Sequence, residues 1–166
     1  KRRHALQVMM NILGGGMSSR LFQKIREELG AAYYVNAGAD LYSDHGLAIM
    51  SAGVDHKKAR LVVKESLKEF ARFKNEKVSE IELKKAKDHM LGHLFLSIET
   101  SDEIGYFYGG QEVSGQKLQT PEEVAKKIKA VSASEIQAVA RALFKNERLN
   151  FAAIGPFKEK SFDDIL

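Results

Sequence analysis

GGGMSSRLFQKIREELGAAYYV, residues 14–35, is the stretch whose reading decides the fold. Three consecutive glycines interrupt any regular element, because glycine gives up the most backbone freedom on folding. Ser18 and Ser19 follow as candidate helix caps, and Leu21, Phe22 and Ile25 then recur at helical spacing. Gly30 fits the left-handed residue that ends many helices. After it the apolar period drops from 3.6 to two. A phosphate-binding loop would follow a strand and end Gly-Lys-Ser/Thr. Here Met17 stands in the lysine's place and the glycines follow a helix. The glycines are therefore expected to form a tight helix–helix corner with close backbone packing.

Upstream, Ala5, Leu6, Met9, Met10 and Leu13 form a helical stripe over residues 3–13. Downstream, Tyr33, Val35, Ala37, Ala39 and Leu41 alternate with Tyr34, Asn36, Gly38 and Asp40, the pattern of a half-buried strand. The turn SDHG leads to a second, more apolar strand over 47–54, and the two predict an antiparallel hairpin. Helices dominate the remainder. Asp55 is positioned to cap a helix over 56–74. Ser79 and Glu82 have capping-box spacing before a long helix to about residue 98. A helix over 101–113 follows. Thr120 with Pro121 opens another, and Ser132 with Glu135 opens the last. RLNFAAIG, residues 148–155, reads as a final strand stopped by Gly155 and Pro156. The order α-α-β-β-α-α-α-α-α-β predicts an α+β domain over residues 1–155, two layers deep, with helices covering a small antiparallel sheet. Residues 156–166 read as a loosely held tail. Three strands are few for so many helices, and a further strand is expected from a segment preceding residue 1.

The chain has 166 residues, 44% hydrophobic and 29% charged, enough for one domain with a core. Its net charge of +4 is spread, with lysines interleaved among glutamates. This argues against the concentrated basic stripe of a nucleic-acid interface. The absence of cysteine excludes disulfides, thiolate catalysis and sulfur-bound zinc. No apolar run reaches the length of a membrane span. Bacterial cytoplasm, periplasm and an organelle matrix all suit such a composition.

His89 and His93 stand four apart in HMLGH, a spacing that places two rings on one helix face, as a zinc helix requires. Met90, Leu91 and Gly92 lie between them and supply no acid, so ordinary helix histidines are the simpler account. Arg26 lies in the last helical turn before Gly30, and Tyr33 begins the strand after it. Arg26 there also complements the helix dipole or pairs with Glu27 or Glu28. Because Gly30 reverses the chain, both side chains can reach one edge of the domain. A guanidinium and a phenol placed together would hold a substrate carbonyl as it gains charge.

Around these two residues the sequence resembles the second, non-zinc domain of the M16 metallopeptidases, relatives of pitrilysin, the insulin-degrading enzyme and the mitochondrial processing peptidase. ILGGGMSSRLFQKIREELGAAYYV carries the resemblance, joined in order by ELKKAKDHMLGHLFLSIET and TPEEVAKKIKAVSASEIQAVARALF. The likeness extends over about residues 5–155. It implies one of two α+β halves that close around a peptide. The zinc half would carry His-x-x-Glu-His, and this half would supply an arginine and, seven residues on, a tyrosine, falling here on Arg26 and Tyr33. No His-x-x-Glu-His occurs in this sequence, and Gly92 stands where HMLGH would need its glutamate. The resemblance thus implies no metal or cofactor held here, zinc in a partner domain or subunit, a homo- or heterodimeric arrangement, and a peptide substrate. It also implies that the isolated chain is not itself active. Strand alternation alone would favour Tyr34 as the exposed phenol, whereas the family spacing selects Tyr33. Two alternatives compete with a peptidase half: a catalytically silent scaffold of the same descent, and nucleic-acid binding through the basic helix around Lys84, Lys85 and Lys87.

Overall fold

The computed structural model describes residues 2–158 and 160–166. Helix α1 (Arg3–Gly14) is followed by a π-wound segment (Phe22–Glu28), strands β1 (Ala32–Leu41) and β2 (Gly46–Val54), and five helices. These are α2 (Ala59–Asn75), α3 (Glu80–Leu96), α4 (Ser101–Val113), α5 (Pro121–Ala130) and α6 (Ala133–Leu143). The two strands pair antiparallel, and the chain is α+β with helices on one face of the sheet.

α1 is the centre of the core. Val8, Met9 and Leu13 are wholly buried, with Ala5, Met10 and Ile12 nearly so. Apolar residues nearly all round mark a helix enclosed on several sides. α1 packs on β1 along one side and on α3, α5 and α6 along others. The inward row of the hairpin, Val35 and Ala37 with Ala48, Met50 and Ala52, meets this core.

The contact of α1 with β1 depends on Gly14. A Cβ there would lie 2.4 Å from the Ala37 nitrogen. The glycine run therefore seats a helix on a strand, not a helix on a helix as expected. Close packing is its role, but the partner differs.

Helix caps follow the sequence closely, with instructive exceptions. Thr120 with Glu123 and Ser132 with Glu135 form complete capping boxes, and so do Thr100 and Glu103. Ser79 accepts from the Glu82 N–H, but the Glu82 carboxylate is drawn away to Arg20 and the box stays half-formed. Asp55 accepts from the Lys57 N–H and closes a turn ahead of α2, which begins only at Ala59. Ser19 is buried, and its hydroxyl caps nothing.

The expected strand over 148–155 is absent. Asn146–Arg148 form a 3₁₀ turn, and residues 149–154 join no ladder among the described residues. A strand needs a neighbour to satisfy its backbone groups, and none of the described segments supplies one. Phe151 and Ile154 are left exposed. Beyond them Phe162 is buried against Phe151 and Phe157, and Arg60 pairs with Asp164 at 2.6 Å.

Candidate functional site

Residues 20–34 form a helix, a turn and a strand, and both regular elements are irregular where the two candidate residues lie. The segment after Leu21 is wound as a π-helix. Leu21, Ile25 and Leu29 line the inner side of this stretch. They are spaced by four, and the first two are wholly buried while Leu29 packs on the core. The same winding stacks Arg26 above Phe22, the guanidinium carbon 5.0 Å from the ring centroid.

The segment closes on Gly30, whose φ of +51° puts it in the left-handed region. The Ala31 N–H donates back to the Ile25 carbonyl at 2.8 Å, six residues earlier and one residue wider than the 6→1 bond that closes an α-helix in a Schellman turn. Lys58 Nζ donates to the Gly30 carbonyl at 2.8 Å and ties the turn to α2.

β1 then opens with a bulge. Ala32 pairs with Val54 and Tyr34 with Gly53, so Tyr33 is the extra residue. A bulge re-aims the side chain it carries. It removes Tyr33 from the apolar row of Val35 and Ala37, and Tyr33 is 79% exposed against 53% for Tyr34. The two tyrosines are used differently. Tyr34 lies across Gly53, where an added Cβ would meet its ring at 2.4 Å, and covers the sheet. Tyr33 stands clear of it.

Arg26 and Tyr33 thus flank one turn, both exposed. Neither has a hydrogen bond or ion pair among the described residues. Glu28, a candidate partner for Arg26, is taken by Lys24 at 2.6 Å.

Arg20 was not singled out in the sequence, yet it anchors this region. Its Nε and Nη2 each donate to Glu82 at 2.7 Å, and Nη1 faces Glu69 at 3.5 Å. Its guanidinium carbon lies 4.3 Å over the ring of fully buried Phe73. Arg72 completes the network by donating to Glu69 at 2.8 Å, an ion pair that holds its own pKa above the ordinary arginine value. The only hint in the sequence is an arginine amid an apolar helix face.

The glycine elbow and the histidine pair meet beside a cavity of about 270 Å³ between the elbow and α3. The Asn11 amide lies 3.1 Å from His89 Nδ1, and His89 Nε2 faces Gly16. His93 meets the His89 ring edge-on at 4.6 Å. Desolvation, then the charge of His93, holds His89 below its ordinary pKa. No group of three or more His, Asp or Glu side chains converges to hold a metal among the described residues. The donor set at His89 does not fit zinc, since one ring nitrogen is engaged by an amide and the other faces backbone. Two of the loop N–H groups are also committed, Gly15 donating to the Asn11 carbonyl and Ser19 to that of Gly16. No helix among the described residues is long and apolar enough to cross a membrane.

The comparisons with known proteins agree with this architecture. The family model described as "Peptidase M16 inactive domain" matches residues 1–90. A protein of Rickettsia felis described as an uncharacterized zinc protease is 36% identical over 166 residues, covering 98% of this chain and 39% of that protein. The zinc protease YmxG of Bacillus subtilis is 32% identical over 156 residues, covering 94% of this chain and 38% of that protein. The chain thus spans well under half the length of these relatives. The crystal structure of a peptidase M16 inactive domain from Pseudomonas fluorescens superposes with a TM-score of 0.76 at 20% identity, over 84% of this chain and 34% of that one. With the family model matching more than half of its residues, this chain belongs to the peptidase M16 inactive-domain family.

Proposed function

We propose that this chain is the substrate-handling half of an M16-type zinc endopeptidase, working with a separate domain or subunit that carries the His-x-x-Glu-His motif and its zinc. The observation that carries the reading is the pairing of two backbone irregularities around Gly30. Each displays one polar side chain with no hydrogen bond or ion pair among the described residues. Irregular backbone of both kinds is common next to active sites. The described relatives are zinc proteases more than twice as long as this chain, which fits a partner half.

The chemistry assigned to this chain lies on the substrate side. Tyr33 donates its O–H to the scissile carbonyl oxygen as that oxygen gains negative charge. A donor placed where charge develops acts more strongly on the transition state than on the ground state. Arg26, a permanent cation with a planar fork of donors, orients a peptide carbonyl or a terminal carboxylate. Phe22 beneath it restricts the guanidinium and limits the ordering lost on binding. The run 149–154 is read as pairing with a strand supplied from outside the described residues, since its backbone lacks a ladder partner.

Tyr33→Phe tests the reading in the assembled enzyme. Turnover of a peptide should fall by about 10² to 10³, the effect of losing one oxyanion donor, with zinc content unchanged. Full turnover in Tyr33→Phe would remove the assignment and favour a silent scaffold.

A further inference from the structure

Gly30 separates Arg26 from Tyr33, and the peptide unit between Gly30 and Ala31 sets the angle between the segments that carry them. A peptide unit is flat and almost always trans, so holding both of its edges fixes its orientation. Both edges are held. The Ala31 N–H donates to the Ile25 carbonyl at 2.8 Å, and the Gly30 carbonyl accepts from Lys58 Nζ at 2.8 Å. The first bond is internal to the turn, whereas the second comes from a residue 28 positions further along the chain. Glycine itself supplies little restraint, because it adopts positive and negative φ about equally. Packing supplies none where a side chain would stand, since a Cβ on Gly30 would meet nothing within 4 Å.

Lys58 reaches this carbonyl from a fixed base. Its N–H donates to the Asp55 carbonyl at 2.8 Å, its own carbonyl accepts from the Val62 N–H at 3.0 Å, and Ala59 beside it is buried. The turn that carries it follows Val54, the partner of Ala32 at the start of β1. The lysine thus leaves the end of the hairpin where Tyr33 stands, and it links the π-wound segment, β1 and α2. A cation here also meets the carbonyl end of a helical segment, where the backbone dipole is negative. We propose that Lys58 is a positioning residue: by holding the Gly30 carbonyl it fixes the direction in which Arg26 and Tyr33 are presented, and it touches no reacting atom. This role rests on the proposed function, in which Tyr33 donates to the scissile carbonyl. A donor aimed at developing charge loses effect when its position drifts. Loosening this peptide unit therefore weakens the transition state more than substrate binding.

Lys58→Met keeps the stem and removes the donor, and it tests the role in the assembled enzyme beside Lys58→Arg and Tyr33→Phe. In Lys58→Met, kcat for a peptide should fall about two- to tenfold, the range of one intramolecular hydrogen bond, with KM and zinc content unchanged. Amide exchange at Ala31 should quicken, because its N–H shares a plane with the released carbonyl. Lys58→Arg retains a donor and should recover most of the loss. In a Tyr33→Phe background, Lys58→Met should cost nothing further, since residues that act as a unit are not additive. Unchanged kcat or unchanged Ala31 exchange in Lys58→Met, with Tyr33→Phe impaired, overturns the role and leaves the function of Tyr33 standing. Full turnover in Tyr33→Phe overturns both. A loss that only follows the folded fraction of the variant, or that adds fully to that of Tyr33→Phe, would make the lysine an ordinary helix cap and overturn the role. A rise in KM at constant kcat would mark direct contact with substrate and overturn it as well.

Discussion

Arg20 and Arg26 lie six residues apart on one segment and have opposite fates. Arg20 is partly buried, with its side chain 12% exposed, and it is held by two carboxylates and an aromatic ring. Arg26 is exposed, rests on a ring of its own helix and pairs with no carboxylate among the described residues. The difference extends to the glycines nearby. Gly14 is needed because another backbone presses against it, whereas Gly30 is needed for its own left-handed conformation. The first half of residues 14–35 fastens the segment to the core, and the second half presents groups outward. A cation on an apolar helix is thus informative only once its partners are known.

The strongest way to break this contrast is to remove the anchor. Arg20→Met leaves buried Glu69 with Arg72 as its one remaining ion-pair partner among the described residues. Stability should fall by about 3 kcal/mol or more, as for other broken buried pairs. Urea unfolding of the variant beside Arg26→Ala measures it, and a loss under about 1 kcal/mol for Arg20→Met would dissolve the distinction. Gly14→Ala comes next, because its methyl group must displace the β1 backbone. About 1 to 3 kcal/mol should be lost, as for overpacked cores. Gly38→Ala, with open space around it, should be neutral or stabilising by up to about 1 kcal/mol. Gly30→Ala tests conformation without contact, since nothing lies within 4 Å of its added Cβ. The left-handed penalty sets its loss at about 1 to 2 kcal/mol. The smallest effect belongs to Arg26→Ala, whose stability should change by less than about 0.5 kcal/mol, as at other exposed positions.

A pH series sharpens the same contrast between inward and outward groups. Burial lowers the pKa of His4, and burial with His93 lowers that of His89, both below the ordinary 6.5. The unfolded chain therefore binds protons first as pH falls. Stability is full above pH 6.5 and declines as pH drops below it toward the folded values. Urea midpoints at pH 7.5 and at about pH 5.5 should show the decline, and it should shrink in His4→Gln. A flat profile would mean that both rings bind protons in the fold as they do in the unfolded chain.

Much of the fold was legible because its signals are local. Thr120 with Pro121, Ser132 with Glu135, the hairpin turn and left-handed Gly30 each act within a few residues of themselves. What escaped depends on distant partners. The Ser79 box fails because Arg20, far away in sequence, captures Glu82. The strand over 148–155 had the right residues and lacked a neighbour. At the candidate site, residue identity was readable and geometry was not. The π-winding leaves no mark in the apolar spacing of Leu21, Ile25 and Leu29, which suits an ordinary helix, and the bulge that frees Tyr33 follows from the register against β2. Simple alternation therefore favoured Tyr34, although Tyr33 is the more exposed.

The π-wound turn and the bulge each hold one residue more than a regular element would. Together they work as slack on both sides of a fixed corner. The buried rows of the helix and the strand stay on the core, and the extra residue on each side is taken up at the rim, where Arg26 and Tyr33 stand. What the two elements display outward is thereby set apart from what they bury.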